Sequence, residues 1–385
     1  MNDRQRVTLA CFLAYFVMSA MLAPIGIVST PLAAHFGVTI SEITNAFSAL
    51  TQGILVGAVI ALSFSTRTPL RAVFIVLFVV MSGVLLFIST LPGLGWFQSA
   101  LLIIGIGCGL GLAAAAATIS AAYEGNQRAS ALVATDGCFS VAGILIPAYA
   151  TYSLRESLPV GSVYGIVAGI AALIVLLAIV SRFPHAPTTS AGQASASDKW
   201  PPAAWLGIAA LTTYTLGQYA ILWWLPPHLD ARWGIEVASG GILVGRFWTG
   251  MFVAQIVVTI AVLRVGTFRL LGIAALLTAV GSIPLWSTGD MRLLPVLALL
   301  WGIANLGLLK LALTFVTLQF EAPSPRLVSC VLLGATLGTA ISPFVSSRIV
   351  ESAGTGAVLK FGTACHFVMA VLLITALKIN KQSRK

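Results

Sequence analysis

Apolar residues in this chain run together in twelve long stretches, and polar residues crowd into the short segments between them. The runs cover residues 7–28, 43–64, 70–91, 96–120, 132–153, 161–181, 203–227, 237–263, 267–287, 292–319, 327–349 and 355–378. Each approaches or exceeds the roughly 20 residues that a helix needs to cross a bilayer. Lipid offers no partner to an open backbone group, so the runs predict an all-α membrane protein with twelve transmembrane helices. The first run follows a basic start, but at about 22 residues it outlasts the roughly 7–15-residue core of a signal peptide. It is read as a retained helix.

One segment breaks the rhythm. Residues 182–202 form the only long polar stretch, rich in Ser, Ala and Pro, which is linker composition. Six runs precede it in residues 1–181 and six follow in residues 203–385. The halves also resemble each other. Arg67 and Arg71 close the second run, while Arg264 and Arg269 close the eighth, at offsets of 197 and 198. Tyr123, Glu124 and Arg128 follow the fourth run; Phe320, Glu321 and Arg326 follow the tenth at the same offsets. A parallel repeat of this kind predicts two six-helix bundles around an axis along the membrane normal.

Composition agrees and charge adds an orientation. The chain is 58% hydrophobic and 8% charged, with a mean hydropathy of +1.00, whereas soluble domains carry about 25% charge. Sorting Lys and Arg by alternating loops puts fourteen of the 21 on the side that holds both termini. Five lie opposite: Arg155, Arg232, Arg292, Arg348 and Lys360. By the positive-inside rule both termini are cytoplasmic. The net charge of +10 is thus a topology signal, and short loops leave no nucleic-acid surface. Cys11, Cys108, Cys138, Cys330 and Cys365 all fall inside runs and read as small packing residues. His35, His185, His228 and His366 are scattered and predict no metal site, and nothing points to a cofactor.

Three charges remain, and they lie deep inside apolar runs: Asp136, Arg246 and Lys310. A charge at the bilayer centre costs roughly 2.5–3.5 kcal/mol even on the lenient insertion scale, so it is seldom there for packing. Shifted by the repeat offset, Asp136 meets Leu333 or Gly334, Arg246 meets Ala49 or Ser48, and Lys310 meets Ala113 or Leu112. The common scaffold therefore does not require them. Two cations against one carboxylate favour an anionic or carboxylate-bearing solute, with the Arg fork and the Lys point charge as its anchors. At 1.5 Å per residue Asp136 lies roughly 12 Å into its helix from Arg128, and Lys310 roughly 16 Å from Glu321 on the same side. The matching depths predict contact between Asp136 and Lys310 in at least one state, with Asp136 as a proton carrier. Arg246 lies about 27 Å from that side. Gln218, Tyr219 and Trp223 on the seventh run are further candidates to line a cavity. So are Tyr15, Gln52 and Asn305, which could equally be helix-packing hydrogen bonders. Pro24, Pro147, Pro226, Pro227 and Pro343 are expected to kink or end helices. The run Gly105, Gly107, Gly109 and Gly111 is expected to pack closely against another helix.

Twelve runs, a central loop and basic loops after the second and eighth resemble the major facilitator superfamily. Gly245–Gly250 (Gly-Arg-Phe-Trp-Thr-Gly) is similar to a signature of its fucose-permease-like branch. Tyr123–Arg128, Thr135-Asp136, Phe139–Gly143 and Pro323–Val328 look closer still to the TsgA-like members of that branch. The resemblance implies a secondary active transporter working by alternating access. It implies a multi-pass monomer in a bacterial inner (cytoplasmic) membrane, whose partners are lipid, protons and a small-molecule substrate. It also implies a cytoplasmic gate built from Glu124, Arg128, Glu321, Arg326, Arg67, Arg71, Arg264 and Arg269. Two departures matter. Ser65–Arg71 keeps the basic residues of the loop motif but lacks its Asp, and runs 7–28 and 96–120 hold none of the acidic residues of fucose-type symporters. Sugar symport is therefore not expected. A drug or siderophore exporter and a non-transporting receptor are the alternative readings. An enzyme is not expected, because the loops gather no nucleophile or acid/base group.

Overall fold

The computed structural model describes residues 2–62, 69–184, 200–305, 307–320 and 325–383. Every regular element among them is a helix. The chain divides into two compact units, Met1–Ser190 with Val237–Gly241, and Ala191–Glu236 with Ile242–Lys385.

The first unit is built from α1 (Asp3–Leu22), α2 (Ile25–Phe36), α3 (Ile40–Ala61), α4 (Leu70–Ser89), α5 (Leu94–Ala122), α6 (Gly125–Arg155) and α7 (Ser162–Ile179). Its N-terminal helix starts on a capping box, in which Asn2 and Gln5 satisfy each other's backbone N–H groups. Thr39 and Glu42 do the same at the start of α3. These exchanges remove open donors where a helix begins. Pro24 interrupts the first predicted run, since it brings no N–H and crowds the carbonyl four residues back. The chain then continues as α2 until Gly37, at φ +67°, caps it. By contrast, Pro147, Pro226, Pro227 and Pro343 lie inside helices that run on past them.

The second unit holds α8 (Pro202–Trp233), α9 (Val237–Val265), α10 (Thr267–Gly281), α11 (Pro284–Ser287), α12 (Leu294–Ala304), α13 (Leu308–Thr317), α14 (Pro325–Ala353) and α15 (Thr355–Ser383). Its core gathers Leu211 of α8, Leu271 of α10, Phe315 of α13, Val331 of α14 and Leu373 of α15. Among the described residues, eleven helical segments are long and apolar enough to cross a membrane. The segment at the seventh run, α8, is 32 residues long. Its central Thr212, Thr213, Tyr214, Thr215, Gln218 and Tyr219 interrupt its apolar run.

The internal repeat is written into the packing. In the first unit a Cβ on Gly53 would run into the Leu102 carbonyl and stand 3.0 Å from Gly105 Cα. In the second, a Cβ on Gly250 would run into the Leu299 carbonyl and stand 3.0 Å from Gly302 Cα. Both glycines and both carbonyls are related by 197 positions. Only a residue without a side chain lets the backbones of α3 and α5, or of α9 and α12, approach this closely. Gly57 and Gly109 extend the first contact by one turn.

Candidate functional site

Lys310 stands where the second unit departs from the first. The tenth run reads as one helix in the sequence, but α12 ends at Ala304 and α13 begins at Leu308. Gly307, at φ +60°, takes the left-handed conformation between them, which costs glycine nothing and other residues strain. Lys310 is the third residue of α13. Its exposed face carries Lys310 and Thr314, with Thr317 half-buried on the same stripe. The opposite face, with Leu308, Leu311, Ala312, Phe315 and Val316, is buried. The repeat positions on α5 are Ala113, Ala117 and Ser120, so a cation and one hydroxyl replace two alanines. A polar stripe on a helix of this hydropathy belongs against water or a solute rather than acyl chains.

The break is satisfied by side chains. Trp301 C=O accepts from Asn305 Nδ2 at 2.7 Å, and Asn305 Oδ1 accepts from the Tyr214 hydroxyl at 2.8 Å. Thr278 Oγ1 donates to Ala304 C=O at 3.1 Å, and Trp301 Nε1 donates to Thr278 C=O at 3.2 Å. His366 packs its ring 6.1 Å from Tyr214 and 5.7 Å from Trp301. Asn305 has no exposed surface, and its hydrogen-bonding partners are internal, as a packing residue's would be. Tyr214 and Thr278 escape sequence reasoning. The Asn305-Leu306-Gly307 turn signal was available but lay hidden inside an apolar run.

The other candidates divide between the units. Arg246 is exposed on α9 and shares its stripe with Ile242, Val253, Val257 and Ile260. Val253, Ile256 and Val257 repeat exposed Val56, Val59 and Ile60 of α3 at the same offset, where Ala49 takes the place of Arg246. Gln218, Tyr219 and Trp223 are buried on α8, with the Tyr219 and Trp223 rings 4.8 Å apart. In the first unit, Asp136 is half-buried on α6. Tyr15 of α1 lies against the Thr135 side chain and within reach of the Asp136 charge. Gln52 is exposed on α3.

Of the predicted gate residues, Arg71 and Arg128 make hydrogen bonds within the first unit. Arg71 donates from Nε to the Ala178 carbonyl at 3.1 Å and also to Ile179 C=O. Arg6 donates to Val180 C=O at 3.3 Å. Both guanidiniums thus meet the open carbonyls and negative end of α7. Arg128 donates to the Tyr123 carbonyl at 3.0 Å. Among the described residues it does not pair with Glu124, which is exposed at the start of α6. Tyr123 is also held from α1, by the Thr8 hydroxyl at 2.7 Å and by the Arg4 guanidinium 3.8 Å from its ring. Arg264 and Arg269 are exposed. Arg67 and Glu321 lie outside the described residues, as does the Arg326 side chain. All five cysteines are free, and no metal-binding group occurs among the described residues.

The family model of the Major Facilitator Superfamily matches residues 8–234. The chain is 30% identical over 379 residues to a protein TsgA homolog of Erwinia tasmaniensis, covering 97% of this chain and 95% of that one. It is also 30% identical over 393 residues to protein TsgA of Shigella dysenteriae, with the same coverage. In fold it is similar to a D-xylose-proton symporter, with a TM-score of 0.75 at 14% identity over 96% of each chain. It is likewise similar to the nucleoside transporter NupG, with a TM-score of 0.72 at 13% identity over 98% of this chain and 100% of that one. The chain belongs to the major facilitator superfamily, as a multi-pass membrane transporter and not an enzyme.

Proposed function

We propose that this chain moves a small anionic or carboxylate-bearing solute across a bacterial inner membrane by alternating access, coupled to protons. The chain crosses the membrane twelve times, and the bias of its Lys and Arg residues puts both termini in the cytoplasm. The bundles are residues 1–181 and 203–385, joined by residues 182–202, and the chain works as a monomer. Lys310 and Arg246 hold the anionic group, and Asp136 carries the proton. Gln218, Tyr219, Trp223, Tyr15 and Gln52 shape the cavity around the solute. Glu124, Arg128, Glu321, Arg326, Arg67, Arg71, Arg264 and Arg269 form the cytoplasmic gate. Protonation of Asp136 releases Lys310 to the solute in at least one state.

The observation that carries this reading is the exposed polar face of α13. Lys310 projects from it beside Thr314, in a membrane-embedded half-helix whose other face is buried. The fold likeness to a D-xylose-proton symporter supports proton coupling. The missing acidic residues on the first and fourth runs speak against a sugar as the cargo.

A thermal-shift screen of the purified protein against organic acids, phosphate esters, neutral sugars and amphipathic cations tests the solute class. A bound solute raises the apparent stability by mass action. The largest shifts are expected from carboxylates or phosphates and should shrink in Lys310→Gln. Stabilisation by neutral sugars or cations alone would overturn the reading.

A further inference from the structure

The break in the tenth crossing is absent from its repeat partner. Helix α5 runs unbroken from Leu94 to Ala122, although the same Gly-to-Gly contact anchors it to α3 as anchors α12 to α9. The residues around the break differ in kind as well. Shifted by 197 positions, Tyr214, Thr278 and Asn305 fall on Val17, Met81 and Cys108. All three of these are buried. Three buried apolar positions of the first unit correspond to a hydrogen-bonded cluster in the second.

We propose that Tyr214, Thr278 and Asn305 are positioning residues that hold the helix break and so fix where Lys310 stands. The proposal rests on the reading that Lys310 serves the solute. Its physical basis is the cost of an open backbone group in lipid. A broken helix leaves carbonyls that the regular ladder would have filled. Here Thr278 takes the Ala304 carbonyl, Asn305 adds its side-chain amide to a Trp301 carbonyl that its own N–H already meets, and Tyr214 in turn fixes that amide. Partners on α8 and α10 thus pin the break from two other helices. Leu308 N–H closes back on Asn305 C=O at 2.7 Å, and Lys310 N–H on Gly307 C=O at 2.9 Å. The first turn of α13 is therefore referenced directly to the clamped residues. An ammonium so close to the positive end of a half-helix is electrostatically unfavourable. Without the clamp the segment would relieve that repulsion by unwinding or by closing into a continuous helix.

The test reads Lys310 itself and needs no solute. Wild type, Tyr214→Phe and Thr278→Val would be treated with acetic anhydride as purified full-length protein. Acetylation of Lys310 and of Lys360, elsewhere in the same unit, would then be followed by peptide mass spectrometry. Each variant removes one hydrogen bond at nearly constant volume. The Lys310 rate is expected to change about threefold, the weight of one neutral hydrogen bond, with Lys360 unaffected. An unchanged ratio in both variants would overturn the proposal. Should a variant be lost in purification, amide hydrogen exchange of the unaltered protein decides. The clamp predicts amides of residues 308–311 protected at least about tenfold over the loop at residues 288–290. Equal exchange would overturn it. If instead Lys310→Gln binds every anionic solute as tightly as wild type, the proposed function fails while the clamp stands.

Discussion

Lys310 and Arg246 make the same electrostatic offer by different chemistry. Arginine presents a planar fork suited to two oxygens, whereas lysine is a compact charge on a flexible stem. Removing either should therefore weaken an anionic solute. Lys310→Gln and Arg246→Gln are each expected to cost about 1.5–3 kcal/mol of binding, the usual worth of a hydrogen bond to a charged group. Isothermal titration against the best carboxylate from a stability screen would measure it. Binding unchanged in both variants would remove these side chains from the site. Arg71 makes the contrasting case. Its guanidinium meets the last carbonyls of α7, so Arg71→Gln should lower the unfolding midpoint and leave solute affinity alone. A helix-end cation of this kind is worth about 0.3–1 kcal/mol, which sets the scale of the shift.

At the scale of elements, two glycines separate packing from backbone conformation. Gly250 sits where a Cβ would collide with the Leu299 carbonyl. Gly250→Val should push α9 and α12 apart and cost about 1–3 kcal/mol, as overpacking does. At Gly307 a Cβ would find its nearest neighbour, Val258, 3.9 Å away, so sterics are not its reason. Its positive φ makes Gly307→Ala costly by about 1–2 kcal/mol. Unfolding midpoints of the two variants would check both. The helices themselves were legible because apolar runs of this length have one stable form in lipid. The glycine run on α5 was legible for a related reason, since small residues permit contact where large ones do not. The break at Asn305 and Gly307 was not, because hydropathy averages over a turn. Two of the side chains that satisfy it, Tyr214 and Thr278, lie far away in sequence. Pro24 broke a run, whereas Pro147 and Pro343 did not, since local sequence does not say which freed carbonyls find partners.

For the whole molecule the proposal is that solute and proton movements are coupled. The charges that sequence singled out lie in both units, Asp136 in the first, with Arg246 and Lys310 in the second. Asp136 has Tyr15 as a neighbour within its own unit. The coupling claim is tested most directly in proteoliposomes. Wild type and Asp136→Asn would be compared for uptake of a radiolabelled carboxylate that stabilises the protein, with and without an imposed pH gradient. Both should exchange internal for external solute when no gradient is applied. Wild type should concentrate the solute when the gradient is imposed, and Asp136→Asn should only equilibrate it. Full gradient-driven accumulation by Asp136→Asn would contradict the account.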